Sequence, residues 1–166
     1  MELRLLGLSH KTAPVEVREK IVISSARLKE ALTFFGGREV VILSTCNRTE
    51  IYTVGDNFEA SIRFLENYFK IWFSEVEKYL YRYSGAKAAE HLMRVASGLD
   101  SMIVGEGQVL GQVKESWRVA QELQTTNPLL NTLFNRAISC GKRSRAETKI
   151  CRGAVSVGSA AVELAK

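Results

Sequence analysis

Residues 39–44 (EVVILS) and 49–54 (TEIYTV) constrain the fold more than any other part of this chain. Both runs are rich in β-branched residues and too short for a stable helix, so each predicts a strand. Only Thr45, Cys46, Asn47 and Arg48 lie between them, which is hairpin length and makes the strands antiparallel. The rest of the front half supplies partners for such a sheet. Residues 3–8 predict an apolar strand, followed by a polar loop over 9–14 and a short helical turn over 15–19 opened by Pro14. Ser24 or Ser25 can cap a helix carrying Leu28, Leu32 and Phe35, and Gly36-Gly37 end it. After the turn Gly55-Asp56-Asn57, the spacing of Phe58, Ile62, Leu65 and Phe69 predicts a helix with one apolar stripe. Residues 79–83 predict a last strand.

From Ser84 the pattern is helical. Leu92, Val95 and Leu99 line one face of a first helix, and Val109, Val113, Trp117 and Ala120 line a second over 108–124. Asn127-Pro128 caps a third, with Leu130, Leu133, Phe134, Ala137 and Ile138 on its apolar side. Strands in front and helices behind predict an α+β fold with an antiparallel sheet. The order of elements fits a ferredoxin-like two-layer sandwich over 1–83, followed by a helical subdomain over 84–152. Residues 153–166 read as the start of a linker helix that stops without a C-cap signal.

Composition limits the chemistry. The chain has 166 residues, 46% of them hydrophobic, enough for a core without staples. Its three cysteines, Cys46, Cys140 and Cys151, are an odd and sparse set that predicts reduced thiols and a cytoplasmic setting. No CxxC or HxxxH spacing occurs and His10 and His91 are the only histidines, which argues against a metal site. No apolar run is long enough to span a bilayer, and the N-terminus lacks a secretory layout. Lysine and arginine number 23 against 18 acids, and the excess is concentrated in 136–152, with six basic residues and one acid. Lys142, Arg145, Lys149 and Arg152 fall at helical steps and, on a continuing helix, form either a stripe for an RNA backbone or a solvated face.

Cys46 lies in a polar loop between two apolar strands. Arg48 beside it favours a thiolate, and Asn47 with loop amides suits an oxyanion, so the residue reads as a nucleophile or as a small apolar group at a strand end. Arg48 can grip a carboxylate bidentately or pair with Glu50. His10 or His91 would complement a nucleophilic thiol, although spacing places neither near Cys46. Residues 98–112 hold four glycines, two acids, two glutamines and a serine between two helices, as a ligand loop or a solvated one. Gly105, Gly107 and Gly111 do not make a dinucleotide fingerprint, because the third glycine comes one residue late and no strand precedes them.

Three blocks together resemble the glutamyl-tRNA reductase family. They are His10 through Arg18-Glu19-Lys20; Ser44-Thr45-Cys46-Asn47-Arg48-Thr49-Glu50; and His91 through Gly98-Leu99-Asp100-Ser101 to Gly105-Glu106-Gly107-Gln108 and Gly111-Gln112-Val113-Lys114. The resemblance implies the N-terminal catalytic part of such an enzyme. Cys46 would attack the aminoacyl ester of glutamyl-tRNA to give a glutamyl thioester. NADPH would then reduce it to glutamate-1-semialdehyde for tetrapyrrole synthesis. It also implies that His91 is important for activity, and that Thr45, Asn47, Arg48, Ser101, Glu106, Gly107, Gln108 and Gln112 contact substrate. Gly107 stands where the family usually has proline. The NADPH domain and the helical dimerisation region of the family are expected to be absent, so no cofactor site is expected in this fragment. The full-length enzyme is expected to be a homodimer, with the downstream aminomutase as a further partner. Two other readings stay open: a thiol-dependent ester hydrolase, and a non-catalytic tRNA-binding module built on the basic stripe.

Overall fold

The computed structural model describes residues 2–151. The expected linker helix over 153–166 and the basic residue Arg152 lie outside the described residues. The elements run β1 (Glu2–Ser9), α1 (Val15–Ile21), α2 (Leu28–Thr33), β2 (Val40–Ser44), β3 (Arg48–Gly55), α3 (Glu59–Phe69), α4 (Phe73–Val76), β4 (Tyr81–Ser84), α5 (Gly85–Ala96), α6 (Gln108–Glu122) and α7 (Pro128–Glu147). The strands form one antiparallel sheet in the order β2-β3-β1-β4. This is the α+β arrangement expected from the hairpin, with β3 and β1 paired along their whole length from Glu2↔Gly55 to Ser9↔Arg48.

Both faces of the sheet are covered, which explains why the strands read as near-continuous apolar runs rather than alternating ones. On one face lie α1 to α3. Thr49 Oγ1 of β3 donates to the carbonyl of Ile21 at the end of α1 at 3.1 Å. Phe35 of the turn after α2 meets Phe64 of α3, whose ring stacks on Tyr68. The helices of the back half cover the other face, α5 on β1 and α6 on β2, with α7 against α5 and α6. Tyr52 of β3 and Phe134 of α7, both fully buried, meet edge to face at 5.3 Å. Asn127 caps α7 by accepting from the Leu130 amide, with Pro128 in the first turn, as the dipeptide predicts.

Two expected faces are corrected. Leu99 does not continue the stripe of Leu92 and Val95: α5 ends at Ala96, Gly98 turns the chain with φ +74°, and Leu99 is 42% exposed. The inward face of α3 is Ser61, Phe64, Leu65 and Tyr68, with Phe58, Ile62 and Phe69 only half-buried. The helix turns this way because Phe64 and Tyr68 find aromatic partners in Phe34 and Phe35.

Phe134→Ala is expected to cost about 3–5 kcal/mol, because it empties the centre of the interface between the sheet and the back helices. Urea unfolding should show a lower midpoint at nearly constant slope.

Candidate active site

The hairpin between β2 and β3 carries Cys46 at its tip. Thr45 N donates to Arg48 O at 2.8 Å and closes the loop. Thr45 Oγ1 accepts from the amides of Asn47 and Arg48, a side-chain turn that holds the tip in one shape. The tip is also pinned from outside. His10 N donates to Asn47 O at 2.8 Å, and Arg18 Nη1 donates to Cys46 O and to Asn47 Oδ1 at 3.1 and 2.9 Å. The Cys46 side chain is left exposed.

Below this loop the alternating side chains Arg48, Glu50 and Tyr52 of β3 point towards the back helices and form a buried polar network. Glu50 is 0% exposed and Arg48 2%. Glu50 Oε1 accepts from Arg48 Nη1 at 2.7 Å and from the Tyr81 hydroxyl at 2.7 Å, and it lies 2.8 Å from His91 Nε2. Glu50 Oε2 accepts from the Tyr52 hydroxyl at 2.6 Å. A carboxylate only accepts, so Nε2 is a protonated ring nitrogen of His91. Arg48 Nη2 reaches over to Asp100, donating to its carbonyl at 2.6 Å and its carboxylate at 3.1 Å. Lys11 also pairs with the Asp100 carboxylate.

The electrostatics follow from these contacts. Burial pushes the Glu50 carboxyl up, but the bond from His91 and the charge of Arg48 outweigh it and hold the group down at about 2. Burial likewise raises Asp100, and Lys11 and Arg48 bring it below the usual carboxylate range. Arg48 ends above its ordinary value, since Glu50 outweighs its desolvation. Burial, reinforced by the charge on Glu50, drives the Tyr52 and Tyr81 hydroxyls well up. His10 is pushed down by its burial and by the nearby charge of Arg48, and its Nδ1 is buried with no hydrogen-bond partner among the described residues.

A cleft of about 230 Å³ opens beside this network, lined by Ser9, Lys11, Tyr81, Tyr83, His91 and Asp100 among others. His91 thus joins the buried carboxylate to the cleft. The other expected contact residues are distributed as follows. Ser101 is buried next to Asp100, Glu106 and Gln112 are half-buried, and Gly107 and Gln108 are exposed. Gln108 and Gln112 stand one turn apart at the start of α6 and share a face.

Arg48 differs from the sequence expectation in an instructive way. Its pair with Glu50 forms, but in the core, and both terminal nitrogens are taken by protein acceptors. A substrate carboxylate would have to displace Asp100 to reach it. The basic stripe also changes. Helix α7 ends at Glu147, because Thr148 turns extended, donates through Oγ1 to Ser144 O at 2.5 Å and accepts from Ile150 N. Lys142 is exposed on α7, Lys149 lies past its end, and Arg145 is half-buried against another loop. Sequence reasoning missed Tyr52, Tyr81, Lys11 and Arg18, and weighed Glu50 only as a partner of Arg48. The available signal was Arg48, Glu50 and Tyr52 at period two within an otherwise apolar strand.

Among the described residues no group of three or more His, Cys, Asp or Glu is placed to hold a metal, and no helix is long and apolar enough to cross a membrane. The sheet is antiparallel, so these residues offer no parallel strand–helix–strand crevice for a dinucleotide.

An antiparallel sheet with this strand order, a tethered loop carrying an exposed cysteine and a buried Arg–Glu–His network beneath it define an α+β domain. Comparisons specify it further. Residues 6–148 match the family model described as Glutamyl-tRNAGlu reductase, N-terminal domain. A glutamyl-tRNA reductase of Thermodesulfovibrio yellowstonii is 50% identical over 181 residues, covering 100% of this chain and 42% of that protein. That of Crocosphaera subtropica is 47% identical, covering 99% of this chain and 40% of the relative. The solved structure titled for the glutamyl-tRNA reductase from Methanopyrus kandleri superimposes with a TM-score of 0.76 at 40% identity, over 98% of this chain and 39% of that one. The chain belongs to the glutamyl-tRNA reductase family, within its N-terminal domain, and spans about two fifths of the length of these relatives.

The depressed Glu50 value sets a pH dependence. A carboxyl lowered on folding stabilises the fold above its unfolded value of ~4.3, and that stability, on the order of 3 kcal/mol, is lost as pH falls towards 2. Glu50→Gln should lower stability at pH 7 by about 3–5 kcal/mol, since it leaves the buried Arg48 short of its counter-charge. Chemical denaturation at pH 7 and pH 3 should show wild type losing more of its stability on acidification than the variant. Gly7 lies opposite Glu50 in the sheet, and a Cβ there would sit 2.9 Å from Glu50 Cγ and 3.0 Å from Tyr81 Cε2. Gly7→Ala is therefore expected to cost about 1–3 kcal/mol by overpacking, read from the same unfolding curves.

Proposed function

We propose that this chain carries the acyl-accepting half of a glutamyl-tRNA reductase. The observation that supports it most is the exposed Cys46 at the tip of a loop held by Thr45, His10 and Arg18, directly above the buried Arg48–Glu50–His91 network. The Cys46 thiolate attacks the carbonyl carbon of the aminoacyl ester. A carbon–sulfur bond forms, the bond to the ribose oxygen breaks, and that oxygen leaves with a proton as free tRNA. A glutamyl thioester remains on Cys46. The amides of Thr45, Asn47 and Arg48 are already bonded within the loop, so charge developing on the carbonyl oxygen falls to other donors at the tip. His91, with Nε2 fixed by Glu50, keeps Nδ1 as the ring atom able to handle a proton.

Recognition of the glutamyl group falls to side chains not already committed inside the protein. Ser101, Glu106, Gln108 and Gln112 fit this role beside Thr45 and Asn47, with Arg48 fixing the floor beneath them. Lys142 and Lys149, exposed near the end of α7, offer charge to the RNA backbone. Reduction of the thioester by NADPH to glutamate-1-semialdehyde belongs to the full-length enzyme. The residues described here provide no seat for that cofactor, and the chemistry assigned to them stops at acyl transfer.

Intact-mass analysis after brief mixing with glutamyl-tRNA tests this reading. Wild type should gain a glutamyl adduct that hydroxylamine removes, and Cys46→Ser should gain none. Equal deacylation by wild type and Cys46→Ser, with no adduct on either, would remove Cys46 from the reaction.

A further inference from the structure

Among the described members of the sequence's basic stripe, Arg145 is the one turned inward. It sits in the last turn of α7, half-buried, with Nη1 3.4 Å from the carbonyl of Gly105. Its guanidinium packs against Gly107: a Cβ on that glycine would come within 3.0 Å of both terminal nitrogens and 3.2 Å of Cζ. The chain just beyond completes the clamp. Gly105 has φ +85°, and a Cβ there would fall 1.9 Å from the carbonyl oxygen of Ile150. No side chain fits at this contact, so the turn after α7 is seated on the Gly105 backbone itself. The loop beneath is also closed at its neck, with Gly105 N donating to Gly98 O at 3.0 Å and Gly98 at φ +74°, where a Cβ would be strained and would crowd the Glu106 carbonyl at 3.1 Å. Between the two glycines lie Asp100, which holds Arg48 and Lys11, and Ser101. Just after them come Glu106 and Gln108.

No carboxylate among the described residues pairs with Arg145. Its planar cation is used on peptide groups, something a lysine cannot reproduce. We infer that Arg145 is a positioning residue of the 98–107 loop, holding the backbone that presents Glu106 and Gln108, and is not a contact to the RNA backbone. As far as it concerns catalysis, this rests on the acyl-transfer reading above; the effect on the loop does not.

Two measurements on the 166-residue chain test it, with Arg145→Ala and Arg145→Lys. Hydrogen exchange without RNA should show the amides of 99–107 exchanging about tenfold faster in Arg145→Ala, with Arg145→Lys in between and the sheet amides unchanged. In single-turnover deacylation of glutamyl-tRNA with the chain in excess, Arg145→Ala should lower the saturated rate about tenfold. Its affinity for uncharged tRNA and the salt dependence of that affinity should stay at wild-type values. Unchanged exchange would overturn the inference, and so would a loss of RNA affinity with a salt slope reduced by about one, the mark of a lost phosphate contact. If wild type itself forms no thioester, the acyl-transfer reading fails while the exchange result still decides the role of Arg145 in the loop.

Discussion

A carboxylate with no surface in water sits at the centre of this protein, and the rest of the structure is arranged to make that tolerable. An ionised group in the interior costs several kcal/mol of lost hydration unless every acceptor position is met. Glu50 is met by Arg48 from its own strand, Tyr52 two residues on, Tyr81 from β4 and His91 from α5. Arg48 in turn is completed by Asp100 from the loop after α5, and Asp100 by Lys11 from the loop after β1. The front sheet and the back helices therefore share one electrostatic unit as well as one apolar core. Removing Glu50 would leave the Tyr52 and Tyr81 hydroxyls and one side of Arg48 buried without their acceptor.

That unit divides the labour of the site. Beneath the surface, charges are paired, and Arg48, Glu50 and Asp100 are held in their charged forms. At the surface, Cys46 stands on a loop held through its backbone, so the thiol is placed without being engaged. The same contrast runs through the glycine-rich segment. Asp100 is consumed by the network, while the side chains of Glu106, Gln108 and Gln112 make no hydrogen bond or ion pair among the described residues. A preorganised floor with uncommitted groups above it is what recognition of a small polar acyl group calls for.

Much of this was legible from the sequence, and the parts that were not have a common cause. The hairpin was fixed by two short β-branched runs and a four-residue gap, and the caps of α7 by Asn127 and Pro128, all local signals. Cys46 was legible in one motif block, and His91 and the glycine-rich loop in another. The network was not, because the bonds that join its elements link residues 31 to 89 positions apart, from Tyr81 with Glu50 to Lys11 with Asp100. Gly7 shows the same limit. Inside an apolar run it looks like a weak point, and only the register that sets it against Glu50 and Tyr81 explains why nothing larger fits. The basic stripe failed for a local reason with a tertiary outcome: Thr148 ends the helix, and Arg145 finds the carbonyl of Gly105.

The network is also closed within the described residues. Every donor to Glu50 and every acceptor of Arg48 comes from β1 through the loop after α5 or from the strands between, and α6 and α7 cover them without adding a charge to the network. A site whose charges are balanced internally does not depend on another domain to set its protonation states. What another body can still change is the position of a segment that lies over the 98–107 loop from outside, the turn from Arg145 to Ile150. Its contacts with Gly105 and Gly107 are to backbone, which transmits displacement without altering charge. The ionisation of Glu50 and the placement of the 98–107 backbone are therefore separable in this fold, the first set by its bonded partners against burial and the second in contact with the turn that ends α7.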